Sequence, residues 1–124
     1  MLTPSKRIET YKAYLAAFNT HSLEGIKSHL SPHCTCVLPD GTVQTYEEMI
    51  PTYPAHWERS PNPIELREIK AVDKGGVWTL LRDADGRMDI EVEYFWEDEG
   101  GRMIKHVIKE VTMFKEDKTQ ETGT

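Results

Sequence analysis

Long apolar runs are missing from this chain, and so is any excess of positive charge. No stretch approaches the ~20 apolar residues that a membrane-crossing helix needs, and no charged-then-apolar leader opens it. The 15 Lys and Arg are outnumbered by 21 Asp and Glu, for a formal charge of −6. Nucleic acid and anionic membranes both select basic faces, so neither is expected as a partner. Cysteine is scarce. Cys34 and Cys36 are the only two, and a loop that short makes a strained disulfide; the expected compartment is therefore reducing and cytoplasmic. His29, His33, Cys34 and Cys36 offer zinc-type ligands, but no second Cys/His cluster follows and the spacing matches no common site, so no metal is expected. A Gly-rich phosphate loop, a Gly-x-Ser-x-Gly elbow and a Cys–His pair with an obvious third partner are also missing. No cofactor is expected.

What is present fits one folded domain. A chain of 124 residues with three Trp, five Tyr and three Phe can bury roughly two-thirds of its unfolded surface without a staple. Thr3 or Ser5 can cap a first helix, with Pro4 in its first turn. Ile8, Tyr11, Leu15 and Phe18 recur at helical spacing, flanked by Tyr14 and Ala17. Ser22 can cap a short second helix that carries Leu23, Ile26 and Leu30 and stops before Pro32. Cys34 to Leu38 reads as a strand closed by Pro39-Asp40-Gly41. Thr45 and Glu48 have capping-box spacing, and Pro51 and Pro54 should break the third helix, leaving a second piece with Ala55, His56 and Trp57.

From Ile64 onward the pattern is sheet. Three turn signals, Asp73-Lys74-Gly75-Gly76, Asp83-Ala84-Asp85-Gly86 and Asp98-Glu99-Gly100-Gly101, separate four strand-like runs. Successive hairpins make an antiparallel meander. The expected organisation is a single α+β domain over residues 1–114, with helices on one face of the sheet, and a polar, disordered tail at 115–124.

Strand parity locates candidate functional groups. Met88, Ile90, Val92, Tyr94 and Trp96 share one face; Asp89, Glu91 and Glu93 share the other with Phe95. On the last strand Lys105 and Lys109 alternate with Met103, Val107 and Val111. Ile104, His106, Ile108 and Glu110 take the opposite side. A three-residue hairpin loop with Gly100 left-handed sets the lysines beside the acids and puts His106 and Glu110 on the apolar face near Tyr94 and Trp96; a four-residue loop reverses this. In the first case two readings stay open. Each group finds one hydrogen bond or reaches water at the sheet's end, or the two form an acid/base pair lining a pocket. Trp78 and Leu80, if outward, form an apolar patch suited to a dimer contact.

The order of elements resembles the nuclear transport factor 2-like superfamily, whose relatives include ketosteroid isomerase, scytalone dehydratase and SnoaL-like polyketide cyclases. The resemblance spans nearly all of residues 5–114. It is carried by Tyr14-Leu-Ala-Ala-Phe18-Asn19-Thr-His-Ser22-Leu-Glu-Gly25-Ile26, by Leu38-Pro39-Asp40-Gly41 after the first strand, and by Gly101-Arg102-Met103-Ile104-Lys105-His106 at the start of the last. It implies a cone-shaped half-barrel with a pocket between helices and sheet, usually dimeric through the outer sheet face. Tyr14 matches the oxyanion-holding tyrosine of ketosteroid isomerase. The matching base position is Leu38, and the aspartate frequent in SnoaL-like cyclases falls at Ile108, so both acids are missing.

The expected function is therefore a cofactor-free isomerase, dehydratase or cyclase for a small hydrophobic metabolite, with a place in secondary-metabolite tailoring implied by the resemblance alone. Glu110 would be the general acid or base, His106 would relay or orient, and Tyr14 would donate to an oxyanion. Phe18, Tyr53, His56, Trp57, Tyr94, Trp96 and Ile108 would contact the substrate. The competing expectation is a non-catalytic ligand-binding or dimerisation domain. The two part on whether Glu110 and His106 share one enclosed pocket with Tyr14.

Overall fold

Thr3 accepts the Lys6 N–H through its hydroxyl at 3.1 Å and opens helix α1 (Pro4–Asn19). The structure is a computed structural model in which residues 2–97 and 101–114 are described; the expected tail at 115–124 lies outside them. The apolar stripe of α1 turns inward as its spacing requires, with Tyr11 and Tyr14 buried and Ile8, Leu15, Ala17 and Phe18 packed beside them. Arg7, polar by sequence, is buried as well. Its guanidinium donates to the carbonyls of Leu2, Val72 and Gly76 at 3.0, 3.3 and 3.1 Å, tying the start of α1 to the turn after the third strand. A buried cation is tolerated because its donors are satisfied.

His21, at φ 59, turns the corner to α2 (Leu23–His29), which Ser22 caps through the Gly25 N–H at 3.0 Å. The two helices cross closely at Gly25, where a Cβ would sit 2.9 Å from that of Ala17. Strand β1 (Leu30–Val37) starts earlier than expected and takes Pro32 into an irregular stretch between Leu30 and Thr35. After the Pro39-Asp40-Gly41 turn comes β2 (Val43–Gln44). Thr45 and Glu48 form the expected capping box on α3 (Tyr46–Met49). Pro51 then precedes α4 (Thr52–Arg59), and Pro54 falls within its first turn, where no N–H is needed.

The remaining strands are β3 (Glu65–Val72), β4 (Gly76–Arg82), β5 (Met88–Trp96) and β6 (Met103–Met113), paired as an antiparallel meander. The sheet order is β2-β1-β6-β5-β4-β3, and β1 lies parallel to β6. The sheet is therefore mixed rather than wholly antiparallel. It does not close, and α1 packs across β3 and β4 while α3 packs on β1. This is an α+β architecture with the helices on one face. Among the described residues no helix is long and apolar enough to cross a membrane.

Tyr94 lies opposite His106, though not by way of a three-residue loop: Glu97 bonds to Arg102, leaving four positions between the strands, and Ile104, an extra residue in β6, restores the facing. Gly100 itself is outside the described residues, and Gly101 holds φ 71. Two bulges in β6 alter the rest. Phe95 faces Lys105 but Trp96 faces Met103, so one extra residue turns Met103 into the core, fully buried, instead of outward with the lysines. Val92 faces Ile108 but Glu91 faces Glu110, so Lys109 is the extra residue and everything after it changes face. Glu110 accordingly lies on the outer face, exposed, opposite another carboxylate.

That outer face carries Trp78 and Leu80 as parity suggests. Trp78 is half-buried. The Lys70 ammonium lies 4.9 Å from its ring centroid, and its indole N–H donates to Glu91 at 2.7 Å. Arg82 grips Asp89 through two hydrogen bonds of 2.8 and 3.2 Å. Cys34 and Cys36 are free and buried.

Candidate functional site

A cavity of about 330 Å³ opens between α1, the α3–α4 segment and the inner face of β1, β6, β5 and β4. Helix α1 contributes Tyr14 and Phe18, one turn apart. Helix α4 contributes Tyr53, His56 and Arg59, spaced by three and so on one face. The sheet contributes Cys36, Leu81, Ile90, Val92, Tyr94, His106 and Ile108, and Gln44, Met49, Thr52 and Ile64 complete the rim and walls. The volume is at the low end of the roughly 300–1,000 Å³ typical of small-molecule sites.

The polar groups are unequally placed. Tyr14, Tyr53 and His106 are all buried, whereas Arg59 is exposed and Gln44 half-exposed at the mouth. The Tyr14 and Tyr53 hydroxyls share a hydrogen bond of 2.8 Å that joins α1 to α4. Burial pushes the Tyr14 phenol well above its ordinary range, reinforced by neighbouring Tyr53 and Tyr94, and burial raises Tyr53 also. Both therefore stay protonated, as hydrogen-bond donors, at any physiological pH.

His106 stands edge-on to Tyr14 and Tyr94, with ring centroids 5.7 and 4.7 Å away. Its Nε2 lies 3.3 Å from the Met103 sulfur. Burial pushes its pKa down from the ordinary 6.5 to about 3, so it is a neutral imidazole and a weak base. On the opposite wall the His56 ring lies 5.1 Å from that of Phe18. Burial and then the nearby Arg59 charge hold His56 neutral too, and its Nε2 is buried without a partner. Burial also raises the Cys36 thiol, which disfavours a reactive thiolate.

Of the residues singled out in the sequence, the cavity brings together Tyr14, Phe18, Tyr53, His56, Tyr94, His106 and Ile108. Three are elsewhere. Trp57 turns away to stack on His21, centroids 5.1 Å apart, and edge-on to Phe18. Trp96 is buried opposite Met103 and does not line the cavity. Glu110 is exposed on the outer face because of the Lys109 bulge, so it shares no pocket with His106 and Tyr14.

Several further residues line the cavity that the sequence does not mark as substrate contacts. Leu81, Ile90 and Val92 follow from the parity that places Val77 and Tyr94 inward, and Arg59 follows from its three-residue spacing after His56. Cys36 and Gln44 arrive only through the β1–β6 and β1–β2 pairings, for which the sequence holds no local signal. No carboxylate among the described residues lines the cavity. Among the described residues, no three His, Cys, Asp or Glu side chains gather as a metal-ligand set.

No protein-family model and no curated protein sequence matches the chain. Solved structures do. A SnoaL-like protein from Burkholderia thailandensis superposes with a TM-score of 0.73 at 18% identity, covering 86% of this chain and 94% of that one. IdmH from Streptomyces antibioticus, a candidate polyketide cyclase, superposes at 0.66 and 20% identity over 82% and 89%. SalBIII, an epoxide hydrolase/cyclase-like enzyme of pyran ring formation in salinomycin, superposes at 0.67 and 15% over 89% and 97%. The chain thus has the SnoaL-like, nuclear transport factor 2-like fold.

Proposed function

We propose that the cavity binds a small hydrophobic metabolite bearing a carbonyl or ether oxygen, and that the protein promotes a cyclase-type rearrangement of it, a ring closure, dehydration or isomerisation. The observation that carries this reading is the buried Tyr14–Tyr53 hydroxyl pair at 2.8 Å on the wall of an otherwise largely apolar cavity. One hydroxyl proton is used between the two rings; the other is free to donate to a substrate oxygen as negative charge develops there. Preorganised donors in a low-dielectric site are the usual source of such stabilisation. His106, neutral and held between two tyrosines, orients the substrate by a hydrogen bond. With no carboxylate among the described residues of the cavity wall, chemistry that begins with proton donation to oxygen suits the site better than chemistry that begins with proton removal from carbon. The cyclase and cyclase-like names among proteins of this fold point the same way, by analogy.

A second reading, a non-catalytic binding domain, is favoured by one observation, the position of Glu110 outside the cavity. The two are separated by incubating the protein with a panel of bicyclic aromatic ketones and epoxy-alcohols and following both thermal midpoint and product mass. Midpoint shifts with product formation that Tyr14→Phe slows by about 10²-fold support catalysis. Shifts with no product across the panel support binding alone.

We also propose that the protein pairs as a homodimer through the Trp78 and Leu80 face. Sedimentation at micromolar concentration is the check, and a concentration-independent monomer would end this proposal.

A further inference from the structure

The chain carries six more acidic than basic residues by formal charge, −6 in all, yet the permanent charge among the described residues lining the cavity is positive. Its wall includes, among the described residues, no Asp or Glu and one permanent cation, Arg59. Arg59 is the last residue of α4, at the cavity mouth and exposed. Among the described residues it makes neither an ion pair nor a side-chain hydrogen bond. Its charge is felt by His56, one turn back on the same face.

Two acids stand near this mouth, and neither pairs with Arg59. Asp83 and Asp85, in the β4–β5 turn, are also felt at His56. Asp83 is committed to its own turn, accepting the backbone N–H groups of Arg87 and Met88 at 2.6 and 2.8 Å and of Asp85 at 3.3 Å. Asp85 is exposed. A guanidinium with open donors at the rim of an apolar cavity matches a planar carboxylate, which it can grip through two parallel bonds. A cationic ligand would meet the Arg59 charge at the rim, and Asp83 and Asp85, the acids felt at His56, belong to the β4–β5 turn rather than to the cavity lining.

We propose that the ligand is a hydrophobic carboxylic acid whose carboxylate seats on Arg59 at the mouth while its ring system fills the cavity toward Tyr14 and Tyr53. This deepens the proposed function and rests on it, since it presupposes that the cavity is the ligand site. The arrangement gives the ligand a fixed direction. The anionic end stays in water at the rim, where Gln44 can share it, and the oxygen to be activated reaches the buried hydroxyl pair. Electrostatic attraction at the mouth also makes uptake depend on ionic strength.

The test uses three isosteric probes, naphthoate, naphthamide and naphthylmethylammonium, titrated calorimetrically into the intact protein, wild type and Arg59→Gln. Naphthoate is expected to bind on the order of fivefold more tightly than naphthamide, the modest gain of a solvent-exposed ion pair, with the ammonium weakest. The naphthoate advantage should shrink at high salt. Arg59→Gln should remove it while leaving naphthamide binding intact, and Arg59→Lys should restore part of it. Equal binding of naphthoate and naphthamide, or an advantage that survives Arg59→Gln, overturns the carboxylate proposal and leaves the hydrophobic-ligand reading standing. If none of the three probes binds, the cavity-ligand reading falls, and this proposal with it.

Discussion

The hydroxyls of Tyr14 and Tyr53 meet at 2.8 Å across the cavity wall, one from the second half of α1 and the other from the first turn of α4. Both side chains are buried, so the bond both fixes α4 over the sheet and presents a donor to the cavity. Replacing Tyr53 by Phe should cost about 1–2 kcal/mol, because the Tyr14 hydroxyl then loses its buried partner. Urea denaturation of the two proteins measures this directly. Tyr14→Phe should cost a similar amount, and it should lower turnover of any identified substrate by about 10²-fold, the range for losing one oxyanion donor.

Asn19 predicts a separate stability effect. Its amide donates to the Ile64 carbonyl at 3.0 Å and accepts the Ile64 N–H at 2.9 Å. These two bonds tie the end of α1 to the entry of β3, and Ile64 itself lines the cavity. Asn19→Ala leaves both backbone groups partly buried and unpaired, at a cost of about 1–3 kcal/mol. Hydrogen exchange should show faster opening around residues 60–66 and little change in β5.

His106 gives a pH signature with a definite sign. Its folded-state pKa, about 3, lies below the ordinary 6.5 of the unfolded chain, because burial disfavours the imidazolium. The unfolded state therefore binds the extra proton in this window. The stability is fully present above 6.5 and is lost as pH falls from 6.5 toward 3, at a limiting slope of about 1.4 kcal/mol per pH unit. Tyr14, Tyr94 and Met103 surround the ring, and no carboxylate is among these neighbours to offset the loss. His106→Gln should flatten the stability profile between pH 6.5 and 5 relative to wild type, read from denaturant midpoints across that range. Parallel profiles would mean that the imidazole is not buried in the folded protein.

Much of the fold could be read from local chemistry. The Thr45–Glu48 capping box, the Ser22 cap and the Gly-containing turns each mark their element because the physics of a cap or turn is complete within a few residues. Strand parity extends this along each strand, and it leaves Trp78 outward; Tyr94 meets His106 only because the extra residue Ile104 offsets a four-residue connection. Parity fails where a bulge intervenes. Nothing around Lys109 announces the extra residue, so Glu110, correctly counted from His106 by twos, ends on the wrong side. The parallel β1–β6 pairing is hidden for another reason. It joins residues some seventy positions apart, and only the whole fold sets its register, which brings Cys36 beside His106.

Glu110 supplies a prediction that separates the two faces of the sheet. It lies directly opposite Glu91, and like charges in a cross-strand pair repel. Glu110→Gln should leave ligand binding unchanged and raise stability slightly, by about 0.2–1 kcal/mol at low salt. The gain should diminish as salt screens the pair. Urea titrations at low and high ionic strength make the comparison.

The most direct measurement is the affinity of one phenolic ligand, naphthol, for wild type, Tyr14→Phe, Tyr53→Phe and Glu110→Gln. Its hydroxyl mimics a substrate oxygen against the tyrosine pair. A tenfold change in affinity corresponds to about 1.4 kcal/mol, roughly one lost hydrogen bond of the kind buried here. The expected result is weakening by about that factor in one or both tyrosine variants and none in Glu110→Gln. Equal affinity in all four proteins, or a loss confined to Glu110→Gln, would contradict the assignment of the site to the cavity lined by Tyr14 and Tyr53.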